Sequence, residues 1–328
     1  MGGMLPRNAA WPILALAVAA AIGAQGCGRS APQSSSASAL QRCAIDMGSN
    51  TFRLIVASFQ GGRYEQRRME KRTLGVGDEV ERQGRIGETK LAEIDAALAE
   101  FKTLCQKDGI DQVVAVGTAA FRDAPNASRA VTSAAKQGIG MEIASEERES
   151  HLAYLVGSLG QDAHAVIDNG SRSIELVAQQ GGSLSHLVVN LGYRIAYERF
   201  FAHAPNPEAA VAAFRERLLR EVTTAAFMRG RKKLVGVEFG EMTEVLFDSA
   251  PVEGRTFTLA QLKQRLQEIE SMTGDGFEAL KKKKDIDRAL PRLVAAATLT
   301  EEFGYADLVL TSRELGSGLI IEAGMKER

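Results

Sequence analysis

The sequence predicts an α/β protein made of two halves on one plan, each a βββαβαβ unit. Two observations carry this expectation. One is a repeated phrase: "AIDMGSNTFRLIVA" at 44–57 and "VIDNGSRSIELVA" at 166–178 both run apolar, apolar, Asp, any residue, Gly, Ser, any residue, hydroxyl, apolar, charged, Leu, apolar. The other is size. A chain of 328 residues, 45% hydrophobic, exceeds the roughly 250–300 residues at which single cores stop growing, so two domains are expected.

The elements follow in order. "CAIDMGS", "TFRLIVASF" and "RYEQRRMEKRTL" alternate apolar and polar residues and read as three strands. "KLAEIDAALAEFKTLC" then places Leu91, Ile94, Leu98, Phe101 and Leu104 on one helical face. "QVVAVGT" is a short buried strand, "NASRAVTSAAKQ" a helix and "MEIA" another strand, which completes the first unit. The second unit repeats it with "HAVIDNG", "SIELVAQ" and "LSHLVVNLG" as strands, "EAAVAAFRERLLREVTTAAFM" as a helix and "KKLVGVEF" as a strand. There follow a helix opened by the capping pair Thr258 and Gln261, a helix with Pro291 near its start, and "ADLVLT" as the closing strand.

The first forty residues stand apart from this plan. Arg7 precedes the apolar "WPILALAVAAAIGA", shorter than the about 20 residues of a spanning helix and suited to an export signal. Small residues lead up to Cys27, a pattern that resembles a bacterial lipoprotein cleavage site; a simple cleaved signal is the alternative. "GRSAPQSSSASA" behind it has too little apolar content to fold and reads as a tether. The expected organisation is therefore signal 1–27, tether 28–41, first domain 42–162 and second domain 163–328, in a periplasmic protein anchored to the membrane by its lipid. A net charge of −1 with interspersed signs gives no reason to expect a nucleic-acid partner. Cys43 opens the first strand and Cys105 ends the helix leading into a neighbouring strand. An exported protein permits a disulfide there, with two separate buried thiols as the alternative.

A duplicated βββαβαβ unit with an Asp-x-Gly turn between the first two strands of each half is the arrangement of the actin-like (ribonuclease H-like) phosphotransferase and phosphohydrolase folds. Such a turn exposes consecutive backbone N–H groups to phosphate oxygens, and its Asp can hold Mg²⁺. Two facing turns would grip one phosphate chain from both sides.

Over about 41–323 the residues resemble the exopolyphosphatase and guanosine pentaphosphate phosphohydrolase (Ppx/GppA) family. "AIDMGSNTFRLIV" is similar to its first phosphate loop and "VAVGTAAFRDAPNA" to its Arg-Asp-x-x-Asn motif. "SEERESHLAYLVGS" is similar to the helix start that carries its general base, "VIDNGSRSIEL" to its second loop, and "LGYRIAYERF" and "LTSRELGSGLIIE" to later signatures. The resemblance implies hydrolysis of terminal phosphoanhydrides such as those of polyphosphate, with Mg²⁺. It assigns Gly48, Ser49, Asn50 and Thr51 to the first cradle, Gly170, Ser171 and Arg172 to the second, Arg122 to phosphate and Asp168 to the metal.

Departures from that pattern are equally informative. The second loop keeps one glycine of three, Gly170, and has Ser171 and Arg172 in place of the others. The position of the family's base falls on Arg148, with Glu147 and Glu149 on either side. The family's small-residue turn is replaced by "VEFGE", and the Asp and Arg of its last motif fall on Ser312 and Gly316. A guanidinium has only donors and cannot take a proton from water. Two readings follow: a hydrolase with Glu147 as a displaced base, or a tethered, non-catalytic receptor in which Arg122, Arg148 and Arg172 converge on polyphosphate or another phosphorylated anion.

Overall fold

The structure, a computed structural model, describes residues 40–161 and 164–327. The expected export signal, Cys27 and nearly all of the tether lie outside these residues. Among the described residues no helix is long and apolar enough to cross a membrane.

The first half opens with the meander β1 (Gln41–Met47), β2 (Thr51–Gln60) and β3 (Arg63–Thr73). There follow α1 (Val76–Gln83), α2 (Glu88–Lys107), β4 (Val113–Gly117), α3 (Ala119–Asp123), α4 (Ser128–Lys136), β5 (Ile139–Ile143) and α5 (Glu146–Ser158). The sheet order is β3-β2-β1-β4-β5. β1 runs antiparallel to β2 and parallel to β4, as expected for a strand reached through a helical crossover. Covered on both faces, β1 and β2 are almost wholly buried, whereas the edge strand β3 keeps its run of charged residues in water.

The second half repeats the meander with β6 (His164–Asn169), β7 (Ile174–Gln180) and β8 (Ser183–Val189). α6 (Tyr193–Ala196) passes into a π-helical turn, then come α7 (Pro207–Glu221), β9 (Lys233–Val237), α8 (Gly240–Leu246) and β10 (Thr256–Thr258). The chain ends with α9 (Leu259–Glu270), α10 (Gly274–Lys281), α11 (Ile286–Glu302), β11 (Asp307–Leu310) and α12 (Ser317–Lys326). This sheet has the order β10-β11-β9-β6-β7-β8, so β11 lies inside the short edge strand β10. α7 stops at Glu221, short of the expected Met228, which belongs to a separate 3₁₀ turn. α9 carries the expected capping box, with Thr258 and Gln261 bonded reciprocally.

The helix α12 was not legible as an element of either half. The expected boundary at 162/163 places it with the second domain, yet Leu319, Ile320 and Ile321 are buried with Ala44, Ile55, Ala57 and Leu152 of the first. Gly318 permits this approach, since a Cβ there would stand 2.9 Å from the Leu152 carbonyl oxygen. The return carries the segment between β11 and α12 across the line where the halves meet. Cys43 and Cys105, both fully buried, form a disulfide with Cα atoms 6.1 Å apart, which joins β1 to α2.

Candidate functional site

The two Asp-x-Gly turns face one cleft, lined from the first half by Asp46, Gly48–Thr51 and Arg53 and from the second by Asp168, Gly170–Ser173 and Glu175. Each turn is buttressed by the segment that follows the third strand of its own half. In the first, the Ser49 carbonyl accepts from Gly77 N–H (2.7 Å) and the Asn50 carbonyl from Leu74 and Gly75 N–H (2.9 and 3.0 Å). In the second, the carbonyls of Gly170, Ser171 and Arg172 accept from the N–H groups of Tyr193, Arg194 and Gly192 at 3.0–3.1 Å. Carbonyls tied back into the protein turn the N–H groups of the same peptide planes the other way, toward the cleft, which makes both turns nests for anionic oxygens. Gly192 is required at its place: a Cβ would come within 2.5 Å of the Gly170 carbonyl oxygen. The Ser171 hydroxyl is buried without a partner and lines the same cleft.

Asp168 and Glu175 are partners across the β6–β7 hairpin. Asp168 is 4% exposed, and its Oδ1 has no hydrogen-bond partner. Burial, then the nearby Glu238, Glu175, Glu149 and Asp46, push its carboxyl well above the usual range. Glu175 is raised likewise by burial and by Glu149, although the Ser173 hydroxyl donates to it. Two facing acids, one with an orphaned buried oxygen, form an all-oxygen donor set short of positive charge. That donor set fits a Mg²⁺ ion.

Glu149, on the inner face of the first turn of α5, is the third carboxylate of this group. It is buried, and Arg122 donates to its Oε2 (2.6 Å) while also donating to the Ala144 carbonyl (2.9 Å). Burial raises its pKa, with Arg122 offsetting part of the effect. A carboxylate of raised pKa, oriented by an ion pair and facing a phosphate nest, suits a general base.

The first hairpin differs at the same register. Asp46 faces Arg53 across β1–β2, and the Arg53 guanidinium reaches Asp46 (3.7 Å), Glu238 (3.3 Å) and Glu314 (3.3 Å). Asp46, Glu238 and Glu314 offer oxygens within 4.8 Å of one another, but their cation is already present in Arg53. Glu314 is pushed up to about 7 by burial, against the pull of Arg53. Glu238 holds a left-handed backbone, φ 63°, at a cost of about 1–3 kcal/mol for a non-glycine residue. Behind it the fully buried Arg292 donates to Glu241 (2.7 Å) and the Asn169 carbonyl (3.1 Å) and packs on Tyr193, 4.2 Å from the ring centre. Glu241, half-buried, is thereby held down to about 2.

Several expected residues stand elsewhere. Arg148 does not face the cleft: it makes a two-pronged pair with Glu322 of α12 (2.8 and 3.0 Å) and bonds Glu142 (3.0 Å). Glu147 points to solvent. Arg122, expected on phosphate, pairs with Glu149, and Asp123 takes Arg172, 3.2 Å across the cleft. The three arginines therefore do not converge on one anion. The glutamate one residue along α5 was the informative one, and the helical period held the clue: Glu149 lies four and seven residues before the buried Ala153 and Val156. Arg53 and Glu175 were visible as the charged position of the repeated phrase, without a role. Glu238 and Glu314 lie inside the segments "VEFGE" and "LTSRELGSGLIIE", but neither was given a role.

Comparisons with known proteins agree with this geometry. The crystal structure of an Aquifex aeolicus Ppx/GppA family member superposes with a TM-score of 0.75 at 23% identity, covering 88% of this chain and 99% of that one. An exopolyphosphatase from Cytophaga hutchinsonii gives 0.71 at 17% identity, covering 88% and 98%. The profile of the Ppx/GppA phosphatase family matches residues 55–303. With two nested phosphate turns, a buried carboxylate group between them and a family match over most of its length, the chain belongs to the Ppx/GppA phosphatase family.

Proposed function

We propose that the protein is an exported, Mg²⁺-dependent phosphoanhydride hydrolase that removes terminal phosphate from polyphosphate-type substrates, with Glu149 as its general base. The observation that carries this reading is the buried Glu149 carboxylate, oriented by Arg122 into a cleft lined by both phosphate turns. The alternative of metal-free anion binding draws no support from the lining, where acids outnumber arginines. An export signal ending at Cys27 supports a lipid-anchored, periplasmic location, and a buried disulfide suits an oxidising compartment.

The chemistry follows from the placement of the groups. The N–H groups of Asn50, Thr51 and 171–173 hold the terminal phosphoryl oxygens, and the Ser171 hydroxyl adds a donor. Asp168 and Glu175 would hold Mg²⁺, which neutralises charge on the phosphate oxygens. Glu149 accepts a proton from water as the water oxygen bonds to phosphorus. The bridging P–O bond then breaks, and its electrons leave with the shortened chain. Arg122 keeps Glu149 aimed.

The test is phosphate release from polyphosphate with and without Mg²⁺. Glu149→Gln should lower the Mg²⁺-dependent rate by about 10²–10⁴-fold. Full activity in Glu149→Gln together with a large loss in Glu147→Gln would move the base to residue 147. No Mg²⁺-dependent release from the wild-type protein would end the hydrolase reading.

A further inference from the structure

Beside the phosphate cleft lies a second, larger cavity. The first encloses about 50 Å³, room for a few waters at about 10–15 Å³ each, hence one phosphoryl group and little more. The second encloses about 410 Å³ and has a mixed lining, with Lys71, Arg255 and Arg288 beside Glu241, Glu244 and Asp285. Arg53 and Glu238 line both, so they are the wall between them. Glu314 closes the wall from the second side. Arg53 comes from β2 in the first half, Glu238 follows β9 and Glu314 follows β11. The wall is thus an ion cluster that bridges the halves of the molecule.

We infer that this cluster sets substrate length, restricting the cleft to short phosphoanhydrides; the inference rests on the hydrolase reading above. A terminal phosphate seated between the turns needs space for the rest of its chain, and the adjoining large space lies behind the wall. Arg53 offers a phosphate chain nothing further, because three carboxylates already surround it. One guanidinium facing Asp46, Glu238 and Glu314 leaves the wall no positive charge to spare, so it does not draw in the polyanion that it blocks. A short chain such as tripolyphosphate therefore seats its terminal phosphate between the turns with only two phosphates left outside, and a long chain cannot thread past the wall into the larger cavity.

The experiment compares phosphate release from tripolyphosphate and long-chain polyphosphate at equal concentrations of chain ends. It uses the wild-type protein, Glu314→Gly and the double variant Glu238→Gly/Glu314→Gly. Glycine suits position 238, where φ is 63°. We expect kcat/KM of the wild type to favour tripolyphosphate by about tenfold or more, and the double variant to bring the two within about threefold by raising the long-chain value. Glu314→Gln, which keeps the side-chain shape, should move the ratio the same way by less, and serves where glycine impairs folding. Equal wild-type rates on both chain lengths, or a ratio unmoved in every variant, would overturn the length filter and leave the hydrolase reading intact. If no substrate is cleaved, the hydrolase reading fails, and calorimetric titration decides the filter. Tighter binding of tripolyphosphate than of long-chain ends supports it, and equal affinity sinks it.

Discussion

The two β-hairpins that meet at the cleft share a phrase, a register and a buttress, and they part in charge at one matching pair within the strands. Across β1–β2 the register sets Asp46 against Arg53; across β6–β7 it sets Asp168 against Glu175. The first hairpin carries its own countercharge, which gathers Glu238 and Glu314 around it. The second presents two acids and an orphaned oxygen. The repeat supplies two similar turns with their carbonyls tied back into the protein. One charge of opposite sign, seven residues after each aspartate, separates the hairpin that presents two unneutralised acids from the one that carries its own countercharge.

Breaking the second hairpin should have the largest effect. Asp168→Asn with Glu175→Gln should abolish Mg²⁺-dependent phosphate release and also the Mg²⁺-dependent rise in thermal stability. In the wild type that rise should reach about 2.7 kcal/mol at a metal concentration one hundred times Kd. Asp46→Asn, at the matching position of the first hairpin, should leave the Mg²⁺-induced stabilisation in place. Equal loss of stabilisation in both variants, followed by differential scanning calorimetry, would erase the distinction between the hairpins.

A covalent difference between the halves comes next. Cys43 stands three residues before Asp46, and the matching position before Asp168 is Ala165, so the disulfide belongs to the first half alone. The bond closes a loop with a sequence separation of 62 residues; on the chain-entropy account its loss costs about 4 kcal/mol. Cys43→Ser/Cys105→Ser should lower the urea midpoint accordingly. Two thiols titrating in the unfolded, non-reduced wild-type protein would show that the bond does not form.

Much of the fold was legible because both meanders announce themselves by strand periodicity and the repeated phrase. Both phosphate turns, Asp168 and the parallel pairing of β1 with β4 followed from that repeat. α12 was not legible, since its apolar "GLII" gives no sign of which sheet it covers; the partner is chosen by close packing at Gly318 and Gly324. The site was legible only in its backbone. Which of three consecutive residues, Glu147, Arg148 or Glu149, faces the cleft depends on the rotation of α5. Burial of Leu152, Ala153 and Val156 sets that rotation and leaves Arg148 outside, paired with Glu322 of α12, an element not foreseen. Glu238 and Glu314 lie in loops with no periodicity to read, and only the third dimension brings them to Arg53.

pH should sharpen the comparison from the first hairpin's side. Glu314 is raised from 4.5 to about 7. The folded protein therefore binds a proton there that the unfolded chain has released between those values. Its contribution to stability is full below pH 4.5 and is lost as pH rises through about 7. Glu314→Gln should leave stability unchanged at the acid end and raise it relative to wild type by about 3 kcal/mol above neutrality. Urea titrations of both proteins across this range test it: a variant less stable than the wild type above neutrality would mean that Arg53 favours the ionised Glu314 more than burial disfavours it.

The smallest effect separates neighbours on α5. Arg148 is about one-quarter exposed and pairs with Glu322 and Glu142 at the surface. Pairs of this exposure contribute about 0–1 kcal/mol, so Arg148→Ala should shift stability by no more than that. Because its guanidinium faces α12 and not the phosphate turns, phosphate release should change by less than about twofold. Arg122→Gln, by contrast, removes the partner that aims Glu149. It should lower kcat and move the ascending limb of the pH–rate profile upward, since the opposite charge that offsets burial is gone. The paired measurement is decisive about orientation. If Arg148→Ala were to depress kcat or shift that limb while Arg122→Gln did not, α5 would have to be rotated by one residue, about 100°. The base would then have to be sought beside Arg148 on the other face of the helix.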